Sequence, residues 1–114
     1  MKLTRILAPT DFSRYSGFAL EWAAHMAQCM KADLTLLHVL TEEEANIIEE
    51  VIGEGAVIQI NKGVREGVIA DRQKKLKAQF DMVVSRDVRA EIKTEPLTRI
   101  GVPFLEIVKA AKEK

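Results

Sequence analysis

Cysteine is almost missing from this chain. Cys29 is the only one, so no disulfide can close within the chain, which fits a reducing compartment. Net charge is missing too: 17 Lys and Arg balance 17 Asp and Glu. Without a net field, nothing general recruits nucleic acid or an anionic membrane, and both partner classes are set aside. No apolar run approaches the ~20 residues of a membrane span. Lys2 and Arg5 are followed by no apolar core or small-residue cleavage site, so no signal peptide is read. A cytoplasmic protein is expected. His25 and His38 have no cysteine or second histidine at ligand spacing, which argues against a metal site. Gly53-x-Gly55 lacks a third glycine and a clear preceding strand, so it is no dinucleotide fingerprint. There is no internal repeat, and 114 residues suffice for one small domain.

What is present is ordinary in amount and informative in order. Apolar residues make up 47% and charged residues 30%, as in a soluble globular protein. Residues 3–8 form a short apolar strand pattern that stops at Pro9, which cannot donate to a ladder. Ser13 and Ser16 are both suitable N-caps. From Gly17 to Met30, only Glu21, His25 and Gln28 interrupt the apolar residues, and those three share one face. A helix apolar around most of its girth is expected to be heavily buried, Cys29 with it. Residues 33–40 are nearly continuously apolar, as in a strand covered on both faces of a parallel sheet. Strand, helix and strand then make a right-handed parallel unit, whose ligands sit at the carboxyl ends of the strands.

The middle reads less sharply. Thr41-Glu42-Glu43-Glu44 suits a helix start, with acids in the first turn. Ile47, Ile48, Val51 and Ile52 give a helical stripe, and Val57–Ile60 suits a strand or a helix. Gly63 and Gly67 are placed before a helix with Val68, Ile69, Leu76 and Phe80 on one side. Asp81 to Ser85 suits an extension of that helix or a strand. Val88, Ala90, Ile92 and Thr94 alternate with charged residues, which reads as a half-exposed third strand. Gly101-Val102-Pro103 is a turn into a last amphipathic helix. The acidic run from Thr41 to Glu54 and the basic run from Arg72 to Lys77 are taken as solvated helix faces.

The string Ile6-Leu7-Ala8-Pro9-Thr10-Asp11-Phe12-Ser13, followed by Ser16, Ala19-Leu20 and Leu36-Leu37-His38-Val39, resembles the universal stress protein family. The resemblance resumes more weakly from Val88 to Lys112. It implies a three-layer α/β fold of the Rossmann-like, adenine nucleotide α-hydrolase-like type, with a parallel sheet ordered third, second, first strand. It also implies an adenine-nucleotide site. Asp11 would hydrogen-bond the ribose or adenine region, Ala8, Pro9 and Thr10 would shape the floor, and the Val39 backbone would read the adenine edge. The family's phosphate loop, Gly-x-x-Gly, nine residues, then Gly-Ser or Gly-Thr, has no counterpart among the six glycines here. Residues 1–114 are therefore expected to be a single domain of this type without the C-terminal strand, loop, helix and strand. ATP or AMP binding is expected to be weak.

Plainer roles stand beside these. Asp11 suits the cap of a turn, and His38 suits a core or strand-end position. No nucleophile has a neighbouring base, and the His-x-Gly-His and Ser-Gly-Gly-x-Asp strings of adenylate-forming enzymes are absent, so an enzyme is not expected. The expected function is a stress-response binding or regulatory module with an adenine-nucleotide half-site. The alternative is an oligomerising interaction protein with a vestigial site. A homodimer is expected through the first strand, whose edge (Ile6, Leu7, Ala8) would lack its usual neighbour, or by segment exchange. Trp22, Met26 and the 104–108 stripe would then be exposed as well.

Overall fold

The computed structural model describes residues 4–44 and 61–113, with the side chains of 61–65 left aside. The elements run β1 (Arg5–Pro9), α1 (Arg14–Met30), β2 (Asp33–Leu40), α2 (Asn61–Val83), α3 (Arg86–Glu91), β3 (Thr94–Ile100) and α4 (Pro103–Lys112). The strands form one sheet in the order β1-β2-β3, all parallel. This is the expected fold class and strand order. The stripe at Ile47–Ile52 and the segment Val57–Ile60 lie outside the described residues.

Alternation along the strands sorts the layers. Ile6, Ala8, Leu34 and Leu36 meet Leu20, Ala24 and Ala27 of α1 and Leu76 and Phe80 of α2. Val84 and Val88 complete this core. On the other face lies α4, against β2 and β1. β2 is thus covered on both sides, and Leu34, Leu36, Leu37 and Leu40 are buried, as its continuous apolar pattern requires. The alanines of α1 let the helix lie close to the sheet. At Gly17 the helices α1 and α2 come together: a Cβ there would sit 3.5 Å from Val83 Cγ1. Ser13 caps α1, its side chain accepting from the Ser16 N–H, and Lys31 closes the helix in the left-handed conformation at φ 55°.

Four expectations are corrected. Residues 86–91 form α3 rather than a strand, and β3 begins at Thr94. Ser85 caps that helix by accepting from the Val88 N–H, with Asp87 in its first turn. A side-chain cap outweighs a two-residue alternation over so short a segment. Pro96 sits inside β3, which is tolerated because β3 is an edge strand among the described residues. Gly63 and Gly67 lie within α2, not before it. Cys29 is exposed, and so are Tyr15, Phe18 and Met30 of a helix read as heavily buried, while Trp22 and Met26 are exposed as expected. α1 has the sheet on one side only, so its inner face carries the burial and the outer stripe is left to solvent.

Phe104 and Leu105 of α4 are exposed too. β1 has β2 as its only strand neighbour among the described residues. No helix of these residues is long and apolar enough to cross a membrane.

Candidate functional site

The chain leaves β1 through a tightly tied turn. The Thr10 N–H donates to Leu37 O at 2.7 Å, the last rung of the β1–β2 ladder. Phe12 is left-handed, at φ 66°, a conformation that costs an ordinary residue about 1–2 kcal/mol. It is held from both ends. Its N–H donates to Thr10 Oγ1 at 3.1 Å, and its ring leans on the His38 ring with centroids 4.4 Å apart. The buried His38 donates from Nδ1 to Thr10 O at 2.9 Å.

Asp11 sits at the rim of this turn. Its Oδ1 accepts from the Ser13 N–H at 2.9 Å and from the Ser16 hydroxyl. Ser13 Oγ in turn lies 3.0 Å from Ser16 Oγ. Donation from the Ser13 side chain, the Ser16 hydroxyl and the Ser13 N–H holds the Asp11 carboxyl far below the usual 3.8 of an aspartate. The carboxylate is therefore an anion at any working pH, and Oδ2 keeps acceptor capacity for a ligand hydroxyl. The turn-capping role and a ligand role coexist on one side chain, through different oxygens.

β2 supplies a second wall. In a parallel ladder alternate residues point their N–H and C=O to the same neighbour. Leu37 O bonds toward β1, whereas Leu40 O bonds toward the β3 side, accepting from the Gly101 N–H. Val39 therefore faces the β1 side, at a level where β1 has ended. The Phe12 N–H has turned to Thr10 Oγ1 and Thr10 O to His38. Among the described residues no ladder partner takes the Val39 N–H and C=O. Beyond it, Thr41 Oγ1 accepts from the Glu44 N–H at 3.1 Å and starts a helical turn. Pro103 and Ile107 of α4 close the third side.

Together these walls enclose a cleft of about 460 Å³ at the carboxyl ends of β1 and β2, within the ~300–1,000 Å³ of small-molecule sites. Pro9, Thr10, Asp11 and Val39, four of the five residues implied for a nucleotide, line it. Ala8 does not. It is buried one residue too early, on the core face against α1. Ser16, Thr41, Glu44, Pro103 and Ile107 line the cleft without having been singled out for it. Ser16 could have been found from its place one turn after Asp11; α4 enters only through tertiary packing. Two carboxylates, Asp11 and Glu44, face the cleft, and no Lys or Arg lines it among the described residues. Nor do these residues contain a cluster of three metal-ligating side chains.

A second concavity, also about 460 Å³, lies on the α4 face of the sheet. Arg5, Leu7, Thr35, Glu95, Leu97 and Arg99 form its floor, and α4 contributes Ala110, Ala111 and Glu113. Arg99 Nη1 donates to Glu113 Oε1 at 2.7 Å and lies 3.9 Å from Glu106 Oε1.

The model of the universal stress protein family matches residues 2–114. The chain belongs to the universal stress protein family. Solved structures agree with this placement. The hypothetical protein MJ0577 is 25% identical over 99% of this chain and 69% of its own, with a TM-score of 0.64. The universal stress protein UspA from Lactobacillus plantarum, 19% identical, matches 99% of this chain and 71% of its own at a TM-score of 0.57. A universal stress protein in complex with cAMP, 17% identical, matches 99% and 67% at 0.54. The last two show the fold alone. No curated protein matches the chain significantly.

Proposed function

We propose that this universal stress protein domain is a non-catalytic stress-response module that binds an adenosine-type ligand in the cleft at the ends of β1 and β2. The observation that carries this reading is the convergence of Pro9, Thr10, Asp11 and Val39 from two strands on one cleft. An ionised Asp11 accepts from the ribose hydroxyls. The Val39 N–H and C=O offer one donor and one acceptor side by side, the pattern that an adenine edge complements. Pro9 and Leu37 give the ring an apolar surface. The cAMP complex of a relative supports a nucleotide in this family.

Ligand charge should matter. Asp11 and Glu44 make the cleft acidic, and a triphosphate brings charges of the same sign. Adenosine and cyclic AMP are therefore preferred to ATP. The reading also takes the chain to self-associate through the β1 edge, which sedimentation at low micromolar concentration would detect.

Calorimetric titration with adenosine, cyclic AMP and ATP tests the ligand reading. Adenosine and cyclic AMP should bind at least tenfold more tightly than ATP. Tighter binding of ATP, or no heat with any of the three, would reject it.

A further inference from the structure

One side chain outside the cleft grips the turn that builds it. Gln79 stands on α2, 66 residues from Ser13, yet both ends of its amide reach the 10–13 turn. Its Oε1 accepts from the Thr10 hydroxyl at 2.8 Å. Its Nε2 donates to Ser13 O at 3.3 Å. The carbonyl of Ser13 can only accept, so the amide orientation follows from its partners. Thr10 Oγ1 is then used twice: it donates to Gln79 and accepts from the Phe12 N–H. The chain between the two gripped points contains Asp11 and the left-handed Phe12. The amide lies alongside Gly17 of α1, where a Cβ would be in ordinary van der Waals contact, 3.7 Å from Gln79 Nε2.

We infer that Gln79 is a positioning residue for the ligand site: its amide clamps Thr10 to Ser13 and so fixes Asp11 in its binding geometry, tying the seating of α2 to the cleft. The ligand half of this inference rests on the proposed function; the clamp itself does not. Two neutral hydrogen bonds of ordinary net strength hold a strained residue in place. Losing them lets the turn sample other conformations, and affinity falls by the fraction of molecules no longer competent. The linkage runs both ways, so a ligand that orders the turn also firms the seating of α2 against α1.

Two variants separate the clamp from simple packing. Gln79→Leu keeps the volume and deletes both bonds. Gln79→Glu keeps the Thr10 bond at pH 7.5 but cannot donate to Ser13 O until it is protonated, near pH ~4.3. The readouts are amide hydrogen exchange in the ligand-free protein and adenosine affinity by calorimetry. Gln79→Leu should speed exchange at Phe12 and Ser13 about tenfold, leave Leu20 to Ala27 in α1 unchanged, and weaken adenosine about tenfold. Gln79→Glu should weaken adenosine at pH 7.5 and recover toward wild type as the pH falls. Recovery is read as the ratio to wild type at each pH. The titratable and charged groups around the clamp, Asp11 on the turn, His38 on β2, Glu44 beyond it and Lys75 on α2, are common to both proteins.

Unchanged exchange at Phe12 and Ser13, or a pH-independent ratio, would overturn the inference. If wild type binds no adenosine, the proposed function falls and the exchange arm alone decides the clamp. If Gln79→Leu does not fold, the same exchange measurement on Gln79→Glu at the two pH values decides it.

Discussion

Two concavities of equal volume, about 460 Å³ each, lie on this small domain, and only one is built like a binding site. The groove on the sheet face crosses the strands in mid-course. There the backbone groups of Thr35, Glu95, Leu97 and Arg99 lie in the sheet plane and are spent on the ladder, so a ligand lying on the face would meet mainly side chains. The principal cation there, Arg99, is already engaged by Glu113 and Glu106. The cleft at the strand ends differs in kind. One strand stops while its neighbour continues, which leaves the Val39 backbone without a ladder partner among the described residues, and the turn between β1 and α1 presents a carboxylate held in its anionic form. Volume does not distinguish the two; the fate of the backbone hydrogen bonds does.

The comparison can be attacked most heavily through stability. Leu37 is fully buried under the cleft in the central strand, so Leu37→Ala should cost about 2–5 kcal/mol in denaturant unfolding. Leu97, half-buried in the groove on an edge strand, should cost clearly less when cut to alanine. An equal loss would mean the groove is as well packed as the cleft floor. Ligand binding sharpens the contrast next. Asp11→Ala should weaken adenosine at least about tenfold, the range for a hydrogen bond to a charged group, whereas Arg99→Ala should leave calorimetric affinity within about twofold. Ser13→Ala removes the cap of α1 and should cost about 1 kcal/mol by thermal or chemical unfolding, with no matching loss on cutting the groove's half-exposed Thr35 to alanine.

The smallest effect is in pH. The folded Asp11 carboxyl titrates below its unfolded value of about 3.8. Its contribution to stability is therefore complete above that value and is lost as pH falls below it toward the folded value. The difference in melting temperature between wild type and Asp11→Asn should stay constant from pH 8 to pH 5 and shrink below about pH 3.8. A difference that instead grows with acidity would show that the serines do not stabilise the ionised form.

The same contrast explains what was legible in the sequence. β1, α1 and β2 follow each other closely, and their signals are local: a proline at a strand end, a serine cap, an uninterrupted apolar strand. The parallel pairing of β1 with β2 and the carboxylate-bearing turn at the end of β1 could be read from them, whereas the order of the sheet and the roles of Asp11 and Val39 came from the family resemblance. β3 could not, because Ser85 diverts residues 86–91 into a short helix and the strand then runs through Pro96. Ala8 lies one residue short of the cleft, and a one-residue step turns a strand side chain to the opposite face. The outer stripe of α1 looked like core because periodicity shows which residues are apolar, not how many sides of a helix are covered. Gln79, Pro103 and Ile107 reach the site only through packing between distant segments, for which no local pattern exists.

The most direct test of the account is to ask which of the two equal concavities takes the ligand. Adenosine titrated into isotopically labelled protein and followed by amide chemical shifts should move residues 9–13, Val39, Thr41 and Glu44, and leave Leu7, Thr35, Leu97 and Arg99 in place. Shifts centred on Leu97 and Arg99, with Asp11 and Val39 unmoved, would contradict it.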